Sequence, residues 1–122
     1  MRTLGAFSGY SSSDIPACKE FYADTLGIEL EEQMGGLRFE VNGQKIFIYP
    51  KADRRPAEFT VLNLVVEDIS VAVGDLTSKG VAFERYEGLP AEQDNRGVLR
   101  GKDAGMGPNI AWFNDPSGNI LA

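Results

Sequence analysis

The chain has no histidine, one cysteine and one tryptophan in 122 residues. Without imidazole, a zinc, nickel or iron site would have to be assembled from carboxylates alone. The lone Cys18 excludes an internal disulfide and suits a reducing cytoplasm, the expected location. Positive charge is scarce: 12 Lys and Arg stand against 18 Asp and Glu, a net −6. That balance argues against a nucleic-acid partner, which recruits basic faces. No apolar run approaches the roughly 18 residues a membrane span requires, and the N-terminus shows no apolar signal-peptide core. No membrane partner is expected.

What is present is ordinary for a soluble globular protein, with 43% hydrophobic and 25% charged residues. The length suits one domain with a core of its own. The organising stretch is Phe59 to Tyr86, FTVLNLVVEDISVAVGDLTSKGVAFERY. It reads as a strand, an N-cap at Asp68, a helix with Ile69, Val71-Ala72 and Leu76 toward the sheet, a stop at Gly80, and a strand from Val81 to Tyr86. The same plan runs from Leu4 to Glu31. Asp14-Ile15 sets on Asp68-Ile69, Gly27 on Gly80 with one gap, and Ile28 to Glu31 on Val81 to Glu84. Internal repetition of this kind predicts two copies of one unit.

In the first copy Leu4 to Tyr10 is a glycine-bearing strand, and Ser11 to Asp14 offers N-cap residues before Pro16. Ala17, Cys18, Phe21, Tyr22 and Leu26 recur at helical spacing. A strand follows from Ile28 to Glu32, then Leu37 to Val41, an Asn42-Gly43 hairpin turn, and Lys45 to Tyr49. A proline-bounded polar link, residues 51–58, separates the copies. In the second, Leu62, Leu64 and Val66 share one strand parity and Val61, Asn63 and Val65 the other. Glu87 to Gly107 is a long glycine- and charge-rich segment with only Val98-Leu99 as a short strand, the pattern of a lid or binding loop. Asn109 to Phe113 is a strand, Asp115-Pro-Ser-Gly118 a turn, and Asn119 to Ala122 the start of a last strand.

Asp14-Ile15 with Phe21-Tyr22 and Leu26-Gly27, Val66-x-Asp68 with Lys79-Gly-Val, and Ala111-Trp-Phe-x-Asp115-Pro-Ser-Gly-Asn119 together resemble the vicinal oxygen chelate superfamily. Its members include glyoxalase I, fosfomycin- and bleomycin-resistance proteins and extradiol dioxygenases. The resemblance covers nearly the whole chain. It implies an α+β fold of two tandem βαβββ modules, residues 1–50 and 59–122, forming an open, curled mixed-sheet half-barrel. The helices would lie on its convex side and a ligand cavity on its concave side, and a homodimer is implied as the assembly.

The resemblance also locates the positions where metal-dependent members hold their ion. Seven residues before each helix-capping Asp come Phe7 and Val61. On the fourth strands, counted from Gly118 and Gly43, come Ala122 and Phe47. All four are hydrocarbon, so no metal and no cofactor is expected. The same counting predicts an apolar, aromatic hollow. Phe7, Phe47 and Val61 would point inward, alternation adds Gly9, Lys45, Tyr49, Asn63 and Val65, and Phe39 and Trp112 are further candidates. The competing expectation is that these side chains simply fill the interior.

Other residues weigh less. Cys18 has no histidine to activate it and sits at helical spacing with Phe21 and Tyr22, so an inert buried thiol is expected. Tyr49, Tyr86, Glu40 and Glu84 are the acid–base candidates, although strand carboxylates ordinarily face solvent. Gly105-Met-Gly-Pro108 lacks the helix and lysine of a phosphate loop. Arg54-Arg55 and Arg96, Arg100 and Lys102 are candidates for an anion, set against a solvated surface. Three functions stand open: a metal-free binder of a small organic ligand, a lyase, isomerase or dioxygenase of the same superfamily working by acid–base chemistry, and a non-catalytic dimerisation module.

Overall fold

Pro56, inside the expected link, ends the first of two compact units in the computed structural model, which describes residues 1–122. That unit comprises Met1–Pro56 together with the turn Pro116–Gly118; the second comprises Ala57–Asp115 and Asn119–Ala122.

In the first unit the elements are Ser8–Ser12 (β1), Ile15–Glu20 (α1), Glu31–Gln33 (β2), Gly36–Val41 (β3) and Gln44–Pro50 (β4). The sheet order is β1-β4-β3-β2, with β1 parallel to β4 and the other pairs antiparallel. A parallel pair needs a crossover, and α1 with its following strands supplies it. Asp14 caps α1 by accepting from the Ala17 amide at 3.0 Å, and Pro16 occupies the first turn, where its missing N–H matters least. The last turn widens to π geometry over Phe21–Thr25, the Leu26 amide reaching the Phe21 carbonyl at 3.0 Å, and Gly27 at φ 70 ends it. Asn42 and Gly43, with φ of 51 and 87, form the tight hairpin that their sequence announces.

Register decides the core of this unit. Tyr10 pairs with Ile48, Ile48 with Leu37, and Ile46 with Phe39, so all five side chains share one face of the sheet. All are buried, together with Cys18 and Tyr22 from the helix. Tyr22 packs its ring 5.7 Å from that of Phe39, and its hydroxyl meets that of Tyr10 at 2.7 Å.

In the second unit the elements are Thr60–Leu62 (β5), Ile69–Ser78 (α2), Leu99–Arg100 (β6), Asn109–Ile110 (β7), Phe113–Asn114 (β8) and Ile120–Leu121 (β9). The order is β5-β9-β8, with β5 parallel to β9 and β8 antiparallel, and Phe83 bridges Phe113 antiparallel. First, fourth, third and second positions therefore recur in the same order as in the first unit. The chain is α+β, built of two βαβββ modules. Its apolar cluster is Val73, Val98 and Ala111, with Ile69 and Phe83 packed against it. No helix is long and apolar enough to cross a membrane.

Several expectations shift. The first strand begins at Ser8 rather than Leu4, and Ile28 to Leu30 precedes β2 rather than forming it. Val81 to Tyr86 makes one bridge instead of a full strand, and Asn109 to Phe113 is broken at Ala111-Trp112. On α2, Val73 is buried and Val71 is exposed, because Ile69, Val73 and Leu76 lie on one helical stripe that Val71 does not share. The alternation expected over Phe59 to Val66 is interrupted. Thr60 pairs with Ile120 and Leu62 with Leu121, so Val61 is the extra residue of a bulge. Leu62 and Leu64 are half-buried, while Val66 and Val65 stand exposed.

Candidate functional site

The face of the first sheet opposite α1 carries the other parity of each strand. Gly9 pairs with Phe47, Ser11 with Tyr49, Arg38 with Phe47, and Glu40 with Lys45. Gly36 makes room for a ring on this face, and Gly9 borders a second. A Cβ added at Gly36 would stand 3.0 Å from two ring atoms of Phe47 and would collide with the Ile48 carbonyl. One added at Gly9 would reach the Tyr49 ring at 3.9 Å. Phe47 therefore lies over Gly36, and Tyr49 borders Gly9. Phe47 is half-buried and Tyr49 is 41% exposed. The flanking charge is balanced within the sheet: Arg38 is paired to Glu31 at 3.1 Å, and Lys45 stands opposite Glu40. The result is an aromatic patch with a phenol at its edge.

The remaining candidates divide. Phe7 precedes β1 and is exposed. Phe39 is corrected to a core residue: its register with Ile46 turns it beneath α1, onto the face opposite Phe47 and Tyr49, where it is 3% exposed. In the second unit Val61 sits in the bulge, half-buried, and Asn63 is exposed. Trp112 is half-buried, its ring 5.4 Å from that of Tyr86 at 69°. Burial, and then the charge of Glu84, push the Tyr86 hydroxyl above its ordinary pKa, which keeps it a neutral donor.

The donor set does not fit a divalent ion at the four positions expected to hold one. Phe47 lies across from Gly9 on β1; Ala122 is held between the Leu62 carbonyl, 3.0 Å from its amide, and the Leu64 amide, 2.8 Å from its carbonyl. Neither they nor Phe7 and Val61 carries a side-chain lone pair, and no cluster of three or more His, Cys, Asp or Glu side chains is placed to hold a metal.

Two groups of polar residues come together in a way that sequence reasoning does not anticipate. Ser12, Cys18 and Ser117 form a buried triangle in the first unit, with oxygen–oxygen contact at 2.8 Å and the thiol 3.3 Å from Ser12. Arg54 closes it by donating to the Ser117 carbonyl and, at 2.8 Å, to the Ser11 hydroxyl. Cys18 is wholly buried there. In the second unit, part of the segment expected to act as a lid is fastened. The Gln93 amide donates to the carbonyls of Glu84 and Gly97 and accepts from the Tyr86 amide. Asp94 accepts from the amides of Arg96 and Val98, each at 2.9 Å, and pairs with Arg100 at 3.0 Å. The D-N-R-G run at Asp94 to Gly97, a turn-forming composition, is the one clue to this.

No protein-family model matches the chain, and no curated protein does. Solved structures do. An antibiotic binding protein from a Streptomyces species aligns with a TM-score of 0.63 at 22% identity, over 99% of this chain and 95% of that one. A lactoylglutathione lyase from Agrobacterium tumefaciens gives 0.64 at 15% identity, over 98% and 92%. A glyoxalase/bleomycin resistance protein from a Streptomyces species gives 0.60 at 23% identity, over 95% and 96%. With its two βαβββ modules in the same strand order, the chain has the fold of these glyoxalase and bleomycin-resistance proteins.

Proposed function

We propose that the protein binds a small organic molecule without a metal ion, using the aromatic face of the first unit's sheet. The observation that carries this reading is the setting of Phe47 and Tyr49. Two flat side chains lie on one sheet face, Phe47 over Gly36, a glycine that a larger residue could not replace, and Tyr49 beside Gly9 and open to solvent. A core needs no such arrangement, since the opposite face of the same sheet already buries Tyr10, Leu37, Phe39, Ile46 and Ile48. A planar aromatic ligand gains burial and ring contact on such a patch, and the Tyr49 hydroxyl orients it by a hydrogen bond. A neighbour described as an antibiotic binding protein has this fold, which supports the binding of a small organic molecule. Hydrocarbon at Phe7, Phe47, Val61 and Ala122 supports the metal-free part, because these groups cannot repay an ion for its lost water.

The test combines elemental analysis with a ligand screen by thermal shift. Gently purified protein is expected to hold less than stoichiometric Zn, Ni, Fe or Mn, and a chelator should leave its melting temperature unchanged. Planar aromatic compounds are expected to raise the melting temperature. About one equivalent of metal, lost to chelator with a fall in melting temperature, would sink the metal-free reading. A screen with no hit would sink the binding reading.

A further inference from the structure

In the second unit a surface cleft of about 540 Å³ opens beside the C-terminal half of α2, bordered by Thr77, Val81, Phe83, Arg85, Asn95 and Arg96. Its two arginines have no carboxylate partner. Arg85 donates to the Asp94 carbonyl at 2.5 Å, and Arg96 to the Ser70 carbonyl at 2.9 Å. The nearby acids are already engaged. Asp94 is paired with Arg100 at 3.0 Å, Asp75 with Lys79 at 3.5 Å, and Glu84 accepts from the Asn114 amide at 3.1 Å. A guanidinium carries five N–H donors, so each arginine retains most of its capacity after its one bond. In a chain of net charge −6, this cleft gathers two cations that the protein itself does not neutralise.

Gly74 adds a second observation. It sits in the middle of α2 against helix propensity, and a Cβ there would stand 3.1 Å from the Arg96 Nη2 atom. The glycine lets the Arg96 guanidinium lie close across the helix. We infer that the cleft binds a small organic carboxylate. Its oxygens would take the guanidinium groups of Arg85 and Arg96 and the Asn95 amide, and its apolar body would rest on Val81 and Phe83. The planar fork of arginine matches a carboxylate in geometry. The carbonyl end of α2 beside the cleft, a locus of partial negative charge, favours a monoanion over a dianionic phosphate.

Titration of the whole protein with sodium benzoate, followed by amide NMR, tests the assignment. Saturable shifts are expected, confined to Thr77, Phe83 and Asn95 to Gly97, with neutral benzamide giving none. Arg85→Gln should weaken benzoate at least about tenfold, the scale of a lost charge-assisted hydrogen bond. Thr77→Glu places a carboxylate on the exposed wall without removing any side-chain bond, so it should abolish binding in a folded protein even if the arginine variant unfolds. Equal response to benzamide, tighter binding of inorganic phosphate, shifts confined to the Phe47 and Tyr49 strand, or benzoate binding untouched by Thr77→Glu would each overturn the proposal.

Discussion

The Ser12 hydroxyl meets the Ser117 hydroxyl at 2.8 Å, joining residues 105 apart in sequence inside the first unit. Ser117 belongs to the Asp115-Pro-Ser-Gly118 turn, which is held in place by an internal bond of its own: the Asn119 amide donates to Asp115 at 2.9 Å. The Ser117 oxygen also accepts from the Ser13 amide at 3.2 Å, directly before the cap of α1. Within the first unit, Ser117 thus fastens the start of the first helix.

Replacing Ser117 with Ala should therefore destabilise the protein by about 1–3 kcal/mol, the range for leaving buried polar groups without their partner. Urea unfolding of wild type and variant measures it. An unchanged midpoint would show that the contact contributes nothing net.

The bulge at Val61 makes a second prediction. Val65 is 98% exposed and Leu121 fully buried, although a strict alternation would give Val65 a wall to line. Val65→Ser should change stability by no more than about 0.5 kcal/mol. Leu121→Ala should cost about 2–5 kcal/mol. Comparable losses at both positions would mean that the strand keeps an unbroken register and that the bulge is wrong.

Asp94 carries a pH dependence. Burial alone would push its carboxyl up, but the Val98 and Arg96 amides and the Arg100 guanidinium outweigh it and hold the pKa below the ordinary 3.8. A carboxylate with a lowered folded-state pKa gives stability that is fully present above its unfolded value. That stability is lost as pH falls through the folded value. Asp94→Asn should thus be less stable than wild type at neutral pH, with the gap closing below about pH 4. Denaturant midpoints measured across that range, together with exchange protection of the Val98 amide, follow it. A gap that stays constant down to the acid end would mean that the ionised form is not what holds this loop.

The punctuation of the sequence was the legible part. Asp14, Asp68, Gly27, Gly80 and Asn42-Gly43 each act locally, through a cap or a positive φ, so single residues announce them and the two modules follow. Strand faces were legible where pairing is regular. Lys45, Phe47 and Tyr49 share one face of β4, as alternation requires. Faces failed at Val61 and at Val66, because a bulge depends on two strands and leaves no mark in one. The side of Phe39 is not legible for a similar reason: it is set by pairing with Ile46, which lies across the hairpin. The Asp94 carboxylate accepts mainly from backbone amides, partners with no side-chain identity for a sequence to display, and the Ser12–Ser117 contact joins residues too far apart for any local pattern to announce it.

The aromatic patch gives the last prediction. Phe47 lies over Gly36, held from below by a residue with no side chain, so its ring presents a face rather than filling a void. Phe47→Ala removes that face while leaving the buried set under α1 intact. It should weaken a planar aromatic ligand by about 0.5–1.5 kcal/mol for the lost ring contact, with further loss from burial. Tyr49→Phe keeps the ring and removes only the hydroxyl, so its loss should be confined to the roughly 0.5–1.5 kcal/mol of one hydrogen bond. Calorimetric titration of any hit from the thermal-shift screen separates the two contributions. Asp94→Asn, far along the sequence in the other unit, serves as the control and should bind as wild type does at neutral pH. If Phe47→Ala binds unchanged while Asp94→Asn does not, the ligand lies on the second unit and the sheet face opposite α1 is not the site.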